Sequence, residues 1–494
     1  MTTQDNYANA DQKNLARMGY EQELFRGFSA FSNYALSLSI ICILAGGITS
    51  FHVGYCAVGP AAIGIGWPIA LCFSLAVAAA MAQIASAFPT AGGLYHWGSL
   101  LGGRGCGWIT AWFNLAGLVT VLAAINVGTW NFIESSIFGS ADLGDFAQVI
   151  AVTLITFTQV VINLFGMRVV GPMTNFSGYW ILGVSVTLII LLLAFGGPNH
   201  PERLFQFENF SGLPEGEQQV WPSSDSIAWL FFLAMLLPAY TITGFDGSAH
   251  AAEETLNAAS AVPKAIMQAV LISGIVGYIL LSVAVLVIDD TRQIANQGSR
   301  AFVANLEQSL PFWLHKPSFI AIVLAQYLCG MSVVTSASRM AYAFARDGGM
   351  PFSSRIKKVN PKTLVPENAI YFISVTSVLF TLYSHLYDTI AAAATILLYL
   401  SYMLPILAGF FVHGRSWKIM GPWHLGIWFK PLALLSTIAS VGIVYIGIQP
   451  PNEKAGYAVL ALTIFLVAFW FTFAKYHFKG PPITLKQLQE NPNE

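Results

Sequence analysis

Charge is what this sequence has least of. Only 10% of its 494 residues are Asp, Glu, Lys or Arg, while 55% are hydrophobic. A soluble domain carries about 25% charged residues, and the mean hydropathy here is +0.63, so the composition suits a chain that faces lipid. The 23 Lys and Arg nearly balance the 24 Asp and Glu, for a net charge of −1, which gives no basis for nucleic acid or a strongly acidic partner. Cysteine is scarce as well: Cys42, Cys56, Cys72, Cys106 and Cys329 lie in or beside apolar runs, odd in number and without a CxxC pair. That pattern argues against a disulfide framework or a zinc site and leaves polarisable packing as their role. The glycine-rich "LGGRGCG" (101–107) lacks the GK[ST] of a phosphate loop and reads as a tight inner connector. His52, His96 and His250 are too scattered to suggest metal ligands, and no cofactor is expected. Residues 1–27 are polar, without the apolar core of a signal peptide, and read as a cytoplasmic leader. Residues 479–494 read as a mobile cytoplasmic tail.

What the sequence does have is long apolar runs. A helix needs about 20 apolar residues to cross the hydrocarbon core. Twelve runs qualify, at about 31–58, 63–88, 106–130, 147–166, 174–196, 227–254, 264–288, 318–345, 369–387, 389–412, 431–449 and 455–476. Runs nine and ten are nearly continuous, split only near His385 to Asp388, which makes eleven the rival count. With both termini inside, 17 of the 23 Lys and Arg fall on the cytoplasmic side, including the cluster "RIKKVNPK" (355–362). The positive-inside rule asks for that bias. The acidic loop 197–226 suits the outer face. The expectation is an all-α polytopic membrane protein of 12 spans.

Two of these runs are interrupted. The first contains "AGGITS" (45–50) near its middle, and the sixth contains "TGFDG" (243–247). Five spans apart, the two helices enter the membrane from opposite sides, which is the trace of an inverted repeat. Repeat one then covers about 28–197, repeat two about 226–412, and two extra spans lie at about 430–477. Unwound backbone leaves N–H and C=O groups without partners at several kcal/mol each in lipid, so it survives only where it lines a cavity or binds something. Half-helix N-termini attract an anion and C-termini a cation. The pocket so described suits a small zwitterion or organic cation.

Five blocks, in order, carry a family resemblance: "LARMGYEQELFRGFSAFSNYALSLSI" (15–40), "AQIASAFPTAGGLYHW" (82–97), "GWITAWFNLAGL" (107–118), "TGFDGSAHAAEET" (243–255) and "SRMAYAFARDGGMP" (338–351). Together they resemble the amino acid/choline transporter family of the amino acid–polyamine–organocation superfamily. The resemblance covers about residues 15 to 440. It implies a LeuT-like inverted-repeat fold and secondary transport of amino acids, γ-aminobutyrate, choline or related amines, with the plasma membrane as its usual place. It also implies that backbone at Ala45, Gly46 and Gly47 receives a substrate carboxylate, with Ile48 and Thr49 beside it, and that carbonyls at Thr243 to Gly247 receive an ammonium. Many relatives have Gly where this chain has Ala45, which leaves room for a substrate without a carboxylate.

Individual residues then sort by chemistry. Asp246 is open to three roles: capping the second half-helix, pairing with a cationic substrate, or carrying a coupling proton. Phe245 and Phe51, with Trp112 and Phe113, could box an ammonium by cation–π contact, and Asn114 could reach the substrate. Arg339, about two turns inside the cytoplasmic end of span eight, could pair with Glu253 or Glu254 and close the inner vestibule. Ser332, Thr335 and Ser336 offer hydroxyls to a sodium ion, or bond back to their own helix. Residues 173–196 hold no Lys, Arg, His, Asp or Glu, although some relatives place a Lys on span five. Proton symport is the preferred coupling, with sodium symport and exchange open. A membrane enzyme would need convergent titratable groups in one cavity, and the spans offer little beyond Asp246. The alternative is a sensor that binds without carrying. The partners expected are thus a small amino acid or amine, a proton or sodium ion, and the lipid bilayer.

Overall fold

A computed structural model describes residues 3–139, 143–197, 200–216, 219–383 and 387–490. Among these no strand is present; two isolated bridges, Phe28 to Thr255 and His413 to Trp417, are the extended pairings. The labelled helices, numbered in order with short connecting helices left out, begin with α1 (Thr3–Arg17), α2 (Ala30–Ile41), α3 (Gly46–Thr49), α4 (Phe51–Val58), α5 (Trp67–Ala87), α6 (Leu94–Gly102) and α7 (Arg104–Ile133). They continue as α8 (Gly144–Leu164), α9 (Met167–Phe195), α10 (Ile227–Ala234), α11 (Leu236–Thr241), α12 (Gly247–His250) and α13 (Ala258–Leu286). The last are α14 (Phe312–Arg346), α15 (Glu367–Tyr383), α16 (Tyr387–Val412), α17 (Phe429–Gly447), α18 (Glu453–Phe469) and α19 (Leu485–Glu490).

Ten helices among the described residues are long and apolar enough to cross a membrane. Two shorter apolar helices, Ile227–Thr241 and Glu367–Leu382, stand where spans six and nine were expected. The first is short because the chain breaks after Thr241. The expected split, His385 to Asp388, falls in part on residues 384–386, outside the described residues, and the chain is already helical at Tyr387 and Asp388.

Burial sorts the helices into an inner and an outer set. Along α7, 83% of the apolar stretch is buried, against 28% for α8 and α9 and 17% for α18. The outer helices therefore present large apolar side chains outward, such as Leu154, Phe157 and Ile190, with Ile438 on α17 and Ile464 on α18. A soluble protein would not expose such a belt; a lipid-facing one must.

The breaks differ slightly from expectation. The first lies at Cys42 to Ala45, where Cys42 leaves helical geometry (φ 6°, ψ 95°) and Ile43, Leu44 and Ala45 form a turn. Gly46 and Gly47 already belong to the next helix, so they do not unwind the chain. They allow close packing instead: a Cβ on Gly46 would lie 2.9 Å from Cα of Thr241 on α11. The second break runs from Ile242 to Asp246. Gly244 has φ +84°, and a Cβ there would meet Cγ2 of Ile40 at 2.3 Å. Backbone sign and space both require glycine at that point.

After the second break the chain stays helical only from Gly247 to His250, then makes a tight turn over Ala252–Glu254. The expected helix to 254 is cut short because the leader diverts it. The amides of Gly27 and Phe28 both donate to the carbonyl of Glu254, at 3.0 and 2.8 Å. The tail also departs from expectation: α19 packs on the leader, with Arg17 donating to the Leu488 carbonyl at 3.0 Å.

Candidate functional site

The two breaks meet at a narrow cavity of about 10 Å³, bounded by Ala45 and Gly46 from the first, Thr241 and Thr243 from the second, and Val121 and Ile125 of α7. That volume suits one water, so an amino acid enters only if the breaks move apart. The backbone freed at the breaks is partnered by side chains. Gln326 of α14 donates to the Leu44 carbonyl at 3.0 Å. Ser37 of α2 donates to the Phe245 carbonyl at 2.8 Å and accepts the Ser248 amide at 2.9 Å. The Gly244 amide donates to the Tyr402 hydroxyl of α16 at 3.0 Å. These are the substitutions that unwound backbone requires in lipid.

Asp246 sits in the second break, fully buried. Its side chain makes no cap bond to α12, so the capping role is set aside. The carboxylate turns instead to three helices. Asn114 of α7 donates to Oδ2 at 2.8 Å, Tyr402 donates to Oδ1 at 2.8 Å, and Nε2 of His250 lies 3.1 Å from Oδ2. Phe245 is buried against Tyr402, ring centroids 5.0 Å apart.

Below this site lie two ion pairs. Arg339 holds Glu254 with two parallel bonds, Nε to Oε2 at 2.8 Å and Nη2 to Oε1 at 3.1 Å, both side chains fully buried. Glu253 pairs with Arg346 rather than Arg339, at 2.9 and 3.0 Å, and also accepts the Ala91 amide at 3.1 Å. The bidentate fork fixes geometry as well as charge. The leader closes over both pairs. Gln22 donates to the Glu253 carbonyl at 2.9 Å, Arg26 to the Thr255 carbonyl at 2.6 Å, and the Tyr20 ring lies 3.9 Å under the Arg346 guanidinium. Burial and the neighbouring Asp347 carboxylate hold the Tyr20 phenol well above its ordinary value, so it stays a donor to Asp347 at 2.7 Å. Asp11 accepts the amides of Asn257 and Ala258 at 2.7 and 3.0 Å and caps α13.

On the opposite side a polar vestibule opens, lined by Ile48, Thr49, His52, Asn131, Arg300 and Asp388. Thr49 shares a hydrogen bond with Tyr387 at 2.7 Å, and His52 with Asp388 at 3.0 Å.

The structure thus brings together Ala45, Gly46 and Thr243 around the cavity, and Asn114, Gly244, Phe245, Asp246 and Gly247 around the second break. Other candidates fall elsewhere. Gly47 packs toward Ile43 and Leu281. Phe51 is a core residue stacked on Tyr55, ring centroids 4.9 Å apart. Ile48 and Thr49 belong to the vestibule. Trp112 packs edge-on to Phe344 and forms no box with Phe245. Ser332 bonds back to the Leu328 carbonyl at 3.0 Å, and Thr335 donates to Asn163 of α8 at 2.7 Å, away from the breaks. Among the described residues no group of three His, Cys, Asp or Glu is poised for a metal ion. The sequence reading missed Ser37, His250, Arg346 and Tyr402. Ser37 shares a helix face with Asn33 four residues earlier, and His250 stands four residues after Asp246, spacings that put each pair on one face. Tyr402 carries no such local signal.

Membrane-length helices with an outward apolar belt, wrapped round two meeting helix breaks, define a multi-pass integral membrane protein of permease architecture. The chain belongs to the amino acid permease family, whose model matches residues 28–470, within the amino acid–polyamine–organocation superfamily. It is 32% identical to amino-acid permease BAT1 of Arabidopsis thaliana, over 95% of this chain and 96% of that protein. It is 28% identical to the GABA-specific permease of Saccharomyces cerevisiae, over 96% and 86% of the two chains. With a putative polyamine transporter of Candida albicans it shares 26% identity over 98% and 91%.

Proposed function

We propose that this protein is a secondary transporter of amino acids or related small amines, working by alternating access at the cavity between the two breaks. The observation that carries the reading is the meeting of Ala45 and Gly46 with Thr241 and Thr243 around one cavity. Once the breaks part, a substrate there meets the start of α3 on one side and the Thr243 to Gly247 main chain on the other, in place of the side chains that partner this backbone in the closed form. Relatives named as amino-acid, γ-aminobutyrate and polyamine carriers support the substrate class. On this reading Ile227–Thr241 with its post-break continuation and Glu367–Leu382 complete twelve spans, in an inverted repeat of five and five. Both termini are cytoplasmic, the membrane is the plasma membrane, and coupling is to protons. The ion pairs Arg339–Glu254 and Arg346–Glu253, covered by the leader, are the inner lock. The test is uptake by proteoliposomes of radiolabelled γ-aminobutyrate, choline, putrescine and the α-amino acids. Accumulation of one of them supports transport. Binding without uptake or exchange of any of them overturns it in favour of a sensor.

A further inference from the structure

The hydrogen bonds round His250 can be counted, and the count leaves one proton over. Nδ1 of His250 lies 3.2 Å from the Ala91 carbonyl oxygen. A carbonyl only accepts, so this nitrogen carries a hydrogen. Nε2 lies 3.1 Å from Oδ2 of Asp246. A neutral imidazole has one ring hydrogen, already given to Ala91, so its other nitrogen would present a lone pair to a carboxylate oxygen. With both side chains fully buried and 3.1 Å apart, nothing stands between the two lone pairs. The bond at Nε2 exists only if the pair holds one further proton. Asn114 and Tyr402 donate to Asp246 as well, so the form that matches all three donors is a carboxylate facing an imidazolium.

The geometry points to the His250–Asp246 pair as the seat of the coupling proton, with His250 the residue through which it leaves toward the cytoplasmic side. This rests on the transport reading above. Among the described residues, the elements packed against α12 bring no unpaired charge to it. From α2 come Asn33 and Ser37. From α14 come Ser336 and Arg339, the latter committed to Glu254. The Lys264 side chain of α13 is exposed. Tyr402 and Asn114 complete the shell of Asp246, and the Gly93 backbone lies against the ring, where a Cβ would come within 3.1 Å of Nδ1. Glu253 is held by Arg346 and the Ala91 amide.

Position gives the direction. His250 is one turn beyond Asp246, toward Glu253 and Glu254, and Ala91, whose carbonyl receives the Nδ1–H, gives its N–H to Glu253. Opening the inner lock moves Glu253 and Glu254 from their arginines and admits water to Ala91. The proton on Nε2 or Nδ1 then passes to water, and the pair is left with net charge −1. Binding of a proton from the outer side restores the neutral pair and completes the cycle, one proton per turnover.

The test uses the full chain in proteoliposomes with the membrane potential clamped at zero and the interior one pH unit more alkaline. For a substrate of no net charge, one proton per turnover predicts about tenfold accumulation of labelled compound. His250→Gln is expected to keep exchange of labelled for unlabelled compound at a reduced rate and to bring the accumulation ratio to about one. Accumulation at the wild-type ratio in His250→Gln overturns the proposal. So does wild-type exchange that ignores the pH gradient, which leaves the transport reading intact; no exchange of any compound overturns both. Should the variant fail to fold, nitrogen-15 histidine NMR of the wild-type protein decides. Hydrogens on both ring nitrogens of His250 at neutral pH support the proposal, and a single ring hydrogen beside an ionised Asp246 overturns it.

Discussion

The Tyr402 hydroxyl lies 2.8 Å from Oδ1 of Asp246 and 3.0 Å from the amide nitrogen of Gly244. One oxygen thus accepts the N–H freed by the break and donates to the carboxylate beside it. The unwound turn and the buried acid are held by the same group, on a helix 156 residues away.

That double duty makes Tyr402→Phe informative. The phenyl ring keeps its packing on Phe245, but Asp246 loses a donor and Gly244 an acceptor, both buried. The expected loss of stability is about 1–3 kcal/mol, read as a lower midpoint in thermal unfolding in detergent. An unchanged midpoint would mean that other groups replace the hydroxyl.

The inner lock gives a second prediction. Glu254→Ala leaves the Arg339 guanidinium buried without its partner, at a cost of about 3–5 kcal/mol. Double reversal, Glu254→Arg with Arg339→Glu, is expected to recover transport that each single variant loses. Failure of the double variant, while it remains folded, would dissolve the gating role of this pair.

The two adjacent glycines are expected to behave differently. A Cβ on Gly46 would stand 2.9 Å from backbone of Thr241, whereas one on Gly47 meets nothing closer than 3.4 Å, the end of the Ile43 side chain. Gly46→Ala should therefore cost about 1–3 kcal/mol by overpacking and cut uptake about tenfold, the factor that about 1.4 kcal/mol produces. Gly47→Ala should transport at near the wild-type rate. Equal effects from the two substitutions would argue against close contact between the breaks.

The leader supplies a fourth. Arg26→Ala removes a hydrogen bond to the Thr255 carbonyl and an ion pair with Asp11, itself the cap of α13. Hydrogen exchange at Glu254 to Ala258 is expected to quicken about tenfold, the factor that about 1.4 kcal/mol produces. Exchange that does not change would show that the leader lies against this turn without holding it.

Much of this is legible in the sequence for a simple reason: long apolar runs, a glycine pair and an acid within an apolar run are local features. The spans, the second break and the pairing of Arg339 with Glu254 all rest on such signals. The sequence puts the first break three residues late because two glycines look like a place to unwind, whereas Gly46 serves contact with Thr241. Arg339 is the wrong partner for Glu253 because adjacent glutamates point to different sides of a tight turn, and only the fold shows that Arg346 faces one of them. Tyr402 was invisible for the same reason, since its partners lie on distant helices. The leader's grip on Glu254 was equally hidden; nothing in a polar segment of 27 residues says what it will cover.

The central claim is that substrate sits between the two breaks. An electron cryomicroscopy map of the protein in lipid nanodiscs, saturated with whichever compound the uptake screen finds transported, tests it most directly. Ligand density is expected bounded by Ala45, Gly46, Thr241 and Thr243, with the breaks farther apart than in this structure. Density confined to the vestibule at His52 and Asp388, with the breaks still in contact, would contradict it.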